Sequence, residues 1–238
     1  MIYAGIMAAG LGVRMHRQDL PKPFLILGNR PIIIHALEQF WINERIDKII
    51  VVVAEAWRTY AEDLIAKYNS FNKEITVISG GRSKTESVNF VVKHILNSVG
   101  LNDDDIILMH DAIRPFVTQR IIDNNIDTAL QYKAATTVMT TNDTIIVSSE
   151  NHYLDDVPEK QMMLAEQTPI TFSLKNLEKM FELAEIEGIE LSTVTELSRL
   201  YLRLIGKARL VRGEYSNTKI INSYDLEIAN ALLTEMLK

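Results

Sequence analysis
Short apolar runs alternate with helically spaced apolar residues from the N-terminus to Met139, and this alternation constrains the fold more than any other feature of the chain. Ile2–Ala8, Lys48–Val53, Glu74–Ile78, Asp105–His110 and Ala134–Met139 read as strands. Pro31–Trp41, Trp57–Tyr68, Lys84–Leu96 and Thr118–Tyr132 read as helices between them. In the first helix Ile32, Ile33, Ala36, Leu37 and Phe40 share one face, and Thr118 is placed to cap the fourth. A β-α-β-α order of this kind predicts an α/β fold, a Rossmann-like and mostly parallel sheet covered by helices. Such sheets bind ligands beyond the carboxyl ends of their strands, so the loops there are the first candidates for a site.

The order changes after Met139. Thr144–Val147, His152–Val157 and Met162–Ala165 read as short strands of a projecting β-arm at about 140–165. Helices follow at Leu174–Ala184 and Thr193–Leu204, with Gly206 suited to stop the second. Late strands are expected at Ala208–Val211 and Lys219–Ile221, and a last helix at Tyr224–Leu237 capped by Ser223. With no repeat or linker, residues 1–238 read as one domain.

Composition narrows the chemistry. The chain has no cysteine, which excludes disulfides, thiolate metal sites and a thiol nucleophile. A net charge of −6 argues against a general nucleic-acid or membrane-surface binder. The apolar N-terminus lacks a basic flank and runs into a Gly-rich loop, so a buried strand is expected there rather than a signal peptide. No apolar run approaches the roughly 18 residues of a membrane span. These features fit a soluble, cytoplasmic protein.

The loop after the first strand is the strongest local signal: Ala8-Ala9-Gly10-Leu11-Gly12-Val13-Arg14-Met15, then Leu20-Pro21-Lys22-Pro23-Phe24. Glycines let backbone N–H groups approach phosphate oxygens, and Arg14 and Lys22 add the charge a triphosphate requires. A P-loop is excluded, because Leu11-Gly12 follows Gly10 where Lys and Ser/Thr are needed. A dinucleotide fingerprint fails too, with Met15 at the third glycine position and Glu55 too far along to bind a ribose, which argues against a nicotinamide oxidoreductase. A tight turn with two solvated cations would account for the same residues without chemistry.

Three further segments stand out. Gly80-Gly81 and Ser87 open the helix after the third strand, where they could admit a flat base or simply form a Gly-Gly turn with a capping serine. Asp111, in His110-Asp111-Ala112-Ile113-Arg114-Pro115, ends an apolar strand, where it could hold Mg²⁺ between phosphate oxygens or simply cap a turn with Arg114. His110 is expected to be structural. The stretch Arg212–Ile220 contains Asn217 and Lys219.

Together these segments resemble the polyol-phosphate cytidylyltransferases, the enzymes of the methylerythritol-phosphate and ribitol-phosphate branches. The resemblance rests on the Gly-x-Gly-x-Arg-Met and Pro-Lys opening, on a His-Asp-Ala-(Ala/Ser)-Arg-Pro signature matched by His110–Pro115, and on Asn-x-Lys at Asn217–Lys219. It implies a nucleotide-diphospho-sugar transferase type of fold. It also implies catalytic roles for Arg14, Lys22 and Lys219, and nucleotide contacts from Ala8, Ala9, Gly10, Gly12, Gly80, Gly81, Ser87, Asp111 and Ala112. Asp111 would hold Mg²⁺ or another divalent cation, and Arg114, Thr144 and Lys160 would bind the acceptor phosphate, the arm reaching across a homodimer. Lys84 and Lys160 stand where the family has Arg, Pro23 follows Lys22 in place of a usual Gln, and Thr168-Pro169-Ile170 stands where the family has Thr-Pro-Gln. The implied reaction transfers CMP from CTP to a polyol phosphate and releases pyrophosphate. The Arg212–Asn217 stretch and the Thr118–Tyr132 helix favour ribitol 5-phosphate, a precursor for teichoic acid or capsule polymers. The alternatives are 2-C-methyl-D-erythritol 4-phosphate, an isoprenoid precursor, and a non-catalytic nucleotide-binding relative.

Overall fold
The computed structural model describes residues 1–10, 20–69, 73–98 and 100–236. The strands are β1 (Ile2–Met7), β2 (Ile26–Leu27), β3 (Arg30–Pro31), β4 (Lys48–Val53), β5 (Ile75–Ser79), β6 (Ile106–Asp111), β7 (Ala134–Thr140), β8 (Leu164–Ser173) and β9 (Arg209–Arg212). The helices are α1 (Ile32–Trp41), α2 (Arg58–Tyr68), α3 (Lys84–Ser98), α4 (Gln119–Tyr132), α5 (Leu174–Ile186), α6 (Leu197–Leu204) and α7 (Ser223–Met236). Seven strands form one sheet in the order β5-β4-β1-β6-β8-β7-β9, and β2 and β3 form a separate small hairpin. The pairs β4–β5, β1–β4, β1–β6 and β7–β9 are parallel, whereas β8 runs antiparallel to both β6 and β7.

Alternation along β4 shows why the sheet is covered on both sides. Ile49, Val51 and Val53 pack with Ile33, Leu37 and Phe40 of α1 and Ile122 of α4, while Ile50 and Val52 pack with Val88 and Val91 of α3 and Met180 of α5. Three successive isoleucines begin α1 despite modest helix propensity, and all three are fully buried, so packing decides the conformation. Thr118 caps α4 as expected, its hydroxyl accepting from the Ile121 N–H at 3.4 Å.

The largest departure from the sequence reading is β8. Its Gln167-Thr168-Pro169 stretch argues against a central strand, because proline cannot donate to a ladder. The structure resolves this with a register shift: Thr136 pairs with Ile170 and Thr137 with Gln167, leaving Thr168 and Pro169 outside the ladder. Ile170 is buried in the core with Met109 and Phe172.

Other boundaries also differ. Of the expected arm strands, Thr144–Val147 and His152–Val157 reduce to one isolated bridge between Val147 and Asp156, because Ile146, Tyr153 and Leu154 are exposed and have no layer to pack on, whereas Met162–Ala165 overlaps the start of β8 at Leu164. Lys219–Ile221 is irregular, held by the Ile220 N–H on the Ile113 carbonyl at 2.9 Å. Asn222, not Ser223, caps α7: its side chain accepts from the Asp225 N–H at 3.0 Å, and the Asp225 carboxylate accepts from the Asn222 N–H at 3.0 Å. Among the described residues no helix is long and apolar enough to cross a membrane.

Candidate active site
Parallel pairing of β1 with β4 and β6 brings three strand ends to one edge of the sheet. The chain leaving β1 is tied there by Ala8 N–H on the Val52 carbonyl, 2.7 Å, and the chain leaving β5 by Gly80 N–H on the Val53 carbonyl, 2.7 Å. Between them and the end of β6 lies a cavity of about 420 Å³. Ala8, Ala9, Gly10 and Lys22 line one side, Gly81, Lys84 and Ser87 the other, and Asp111 and Lys219 close the floor.

Asp111 is the last residue of β6 and is buried. Lys84 Nζ lies 2.6 Å from its Oδ1, Lys219 Nζ 3.2 Å from Oδ2, and Arg114 Nε 3.5 Å from Oδ2. Burial pushes this carboxyl up, but Lys84, Lys219 and Arg114 outweigh it and hold the group well below the usual carboxylate range. One anion thus gathers three cations that would otherwise repel one another. An entering polyanion meets a preassembled positive floor.

His110 lies behind the site. Its Nε2 donates to the Arg114 carbonyl at 3.0 Å, which leaves Nδ1 to accept from the Thr168 hydroxyl at 3.1 Å. Thr168 Oγ1 in turn accepts from the Asp111 N–H at 3.0 Å. Burial pushes the imidazole down to about 4, so it is neutral at pH 7 and fixes the turn rather than moving protons.

Arg14 and Gly12 lie outside the described residues. Gly80 packs against Ala9, so that a side chain there would strike it. The Ser87 hydroxyl donates to the Ser83 carbonyl at 2.8 Å and accepts from the Gly81 N–H at 2.9 Å, so it shapes the Gly80-Gly81 turn first. Ala112 is fully buried and its N–H is spent on the Met7 carbonyl at 3.1 Å, which gives it a packing role. Thr144 and Lys160 are exposed on the arm and are not among the cavity's lining residues, and Lys160 donates to the Asn142 carbonyl at 2.7 Å. Lys84, set aside in the sequence because it replaces an arginine, makes the shortest contact to Asp111. Thr168 was also missed, since its partner Asp111 is 57 residues away.

One carboxylate, three cations and glycine-rich turns at the strand ends suit a nucleoside triphosphate, and the class that this fold and site define is nucleotidyltransferase. Within it, the chain belongs to the 2-C-methyl-D-erythritol 4-phosphate cytidylyltransferase family, whose model matches residues 2–235. It is accordingly a CTP-dependent cytidylyltransferase acting on a polyol phosphate. Among solved structures it is similar to a 4-diphosphocytidyl-2C-methyl-D-erythritol synthase from Anaerococcus prevotii, at 28% identity, 98% of this chain, 96% of that one and a TM-score of 0.80. The Francisella tularensis 2-C-methyl-D-erythritol 4-phosphate cytidylyltransferase is 25% identical over 97% of this chain and 98% of that one, with a TM-score of 0.78. The Thermus thermophilus enzyme, at 23% identity, 98% of each chain and a TM-score of 0.74, shares the fold.

Proposed function
We propose that this chain transfers the cytidylyl group of CTP to 2-C-methyl-D-erythritol 4-phosphate and releases pyrophosphate. The observation that carries the reading is the Asp111 cluster, a buried carboxylate paired with three cations, of which Lys84 and Lys219 line a glycine-edged cavity. The match to the family model supports methylerythritol phosphate over ribitol 5-phosphate, which the sequence had favoured.

The acceptor is a phosphate monoester with a second pKa of about 6, so it is largely a dianion at neutral pH and needs no general base. One of its oxygens forms a bond to the α-phosphorus of CTP, the bond from that phosphorus to the β-phosphate oxygen breaks, and pyrophosphate carries away the electron pair. Lys22, Lys84 and Lys219 face the phosphate chain and offset the charge that builds on the α-phosphate, and Arg14 is assigned the same work by resemblance. Among the described residues no cluster of three or more acidic or histidine ligands exists. The carboxylate of Asp111 would hold a divalent cation, which would supply charge neutralisation at the triphosphate.

The arm at 141–163 exposes Ile146, Tyr153, Leu154 and Met162. We assign it to a homodimer in which Thr144 and Lys160 reach the acceptor phosphate bound to the partner. Sedimentation of a dimer supports this, and a monomer at micromolar concentration refutes it. The reaction itself is tested by ³¹P NMR of the protein with CTP, Mg²⁺ and methylerythritol phosphate. Pyrophosphate and a new diphosphate diester are expected. CTP binding without either product would assign the chain to the non-catalytic relatives.

A further inference from the structure
Lys219 belongs to a segment with almost no regular structure, yet its ammonium is held 3.2 Å from Asp111. After β9 the main chain makes one more bond to the sheet, Gly213 N–H on the Val138 carbonyl at 2.8 Å, and then leaves it. The side chain of Gln167 takes over. Its Nε2 donates to the Glu214 carbonyl at 2.9 Å, and its Oε1 accepts from the Glu214 N–H at 3.3 Å and from Asn217 Nδ2 at 3.3 Å. The amide therefore pairs with Glu214 as a peptide group of a neighbouring strand would. Asn217, fully buried, completes the clamp: its Nδ2 also donates to the Thr168 carbonyl at 2.8 Å, and its own carbonyl accepts from Arg114 Nη1 at 2.8 Å. Gly213 leaves room for this arrangement, since a Cβ there would land on Gln167 Oε1.

We infer that Gln167 is a positioning residue for Lys219: it splices the irregular loop onto β8 and so fixes the ammonium at the floor of the cavity. The inference rests on the reading of that cavity as a triphosphate site. The physical need is clear from the side chain itself. Lysine carries a point charge on a flexible stem, and its half-exposed position lets the stem swing to water unless its backbone is held. Gln167 is buried 52 residues before Lys219 in the chain and does not line the cavity, so it acts through the loop and not on the ligand.

The test is a double-mutant cycle of Gln167→Leu with Lys219→Ala, read as kcat/KM for CTP. Gln167→Leu alone is expected to lose roughly 10- to 100-fold, the scale of a small misplacement of a catalytic group. In the Lys219→Ala background the same substitution should cost less than about 2-fold, because the group it positions is gone. Equal losses in both backgrounds, or no loss in either, overturn the inference. Gly213→Ala evicts the Gln167 amide without removing it, and it provides the same cycle if Gln167→Leu fails to fold. A second readout needs no turnover: the rate at which Lys219 is reductively methylated, followed by mass spectrometry. It should rise several-fold in Gln167→Leu as the ammonium leaves Asp111, and an unchanged rate overturns the inference. A wild-type protein that neither binds CTP nor turns it over would instead sink the triphosphate reading, and the methylation rates would still decide the role of Gln167.

Discussion

Replacing Gly80 by alanine would place a methyl carbon 2.6 Å from Ala9 Cβ, 3.0 Å from Ser87 Oγ and 3.2 Å from Val52 Cγ1. Ala9 Cβ has no rotamer with which to retreat, so the backbones after β1 and β5 must part. Restoring ordinary contact at 3.4 Å from 2.6 Å requires about 0.8 Å of movement. Overpacking of this kind costs about 1–3 kcal/mol. Gly10 is the matched control, because it lines the same cavity but a Cβ there meets none of the described residues within 4 Å. Gly10→Ala is expected to leave stability within about 0.5 kcal/mol of the wild type. Its methyl would still intrude where the backbone approaches phosphate, weakening CTP binding by roughly 10-fold, the cost of about 1.4 kcal/mol. Urea denaturation at pH 7.5 measures the first quantity and isothermal titration with CTP the second. A Gly80→Ala protein as stable as the wild type, or a Gly10→Ala protein equally destabilised, would refute the reasoning.

Other consequences follow from the same geometry. Lys22→Ala and Lys219→Ala should each lose at least ~100-fold in kcat, as for other preorganised electrostatic groups, and steady-state pyrophosphate release checks this. Thr118→Ala removes the cap of α4 and should cost about 1 kcal/mol in thermal or urea unfolding, with Thr118→Ser recovering most of it. Burial lowers the pKa of His35, whose Nε2 donates to the Leu27 carbonyl at 2.9 Å. The unfolded chain therefore binds a proton near pH 6.5 that the folded protein resists, and stability from this group is complete above that pH and lost as pH falls below it. His35→Gln should show a shallower acid loss between about pH 6.5 and 5 than the wild type; identical pH dependence would contradict this.

The sheet was legible wherever strands are buried on both faces. Lys48–Val53 is a run of five branched apolar residues after one lysine, and its boundaries match in sequence and structure. Asp111 and the Gly80-Gly81 turn stood out because polar or glycine residues directly after apolar runs mark the ligand edge of such a sheet, whereas Lys219 stood out only through the family resemblance of Asn217–Lys219. What escaped depends on contacts distant in sequence. Pro169 hid β8, since only the pairing with β7 shows that it sits in a register shift. Lys84 looked like a weakened arginine until its ammonium was found on Asp111. Gln167 carries no local signal at all, because its partners Glu214 and Asn217 are 47 and 50 residues away. The arm misled in the other direction: its alternating residues resemble strands, but alternation stabilises a strand only where one face is covered.

Acceptor choice separates methylerythritol phosphate from ribitol phosphate as the substrate. The two cytidine diphosphate products should be measured with saturating CTP and Mg²⁺ and with methylerythritol 4-phosphate and ribitol 5-phosphate in competition. Cytidine diphosphate methylerythritol should accumulate in large excess, with kcat/KM for that acceptor at least ~100-fold above that for ribitol phosphate, about 2.7 kcal/mol of discrimination. A preference for ribitol phosphate would contradict this while keeping the cytidylyltransferase chemistry.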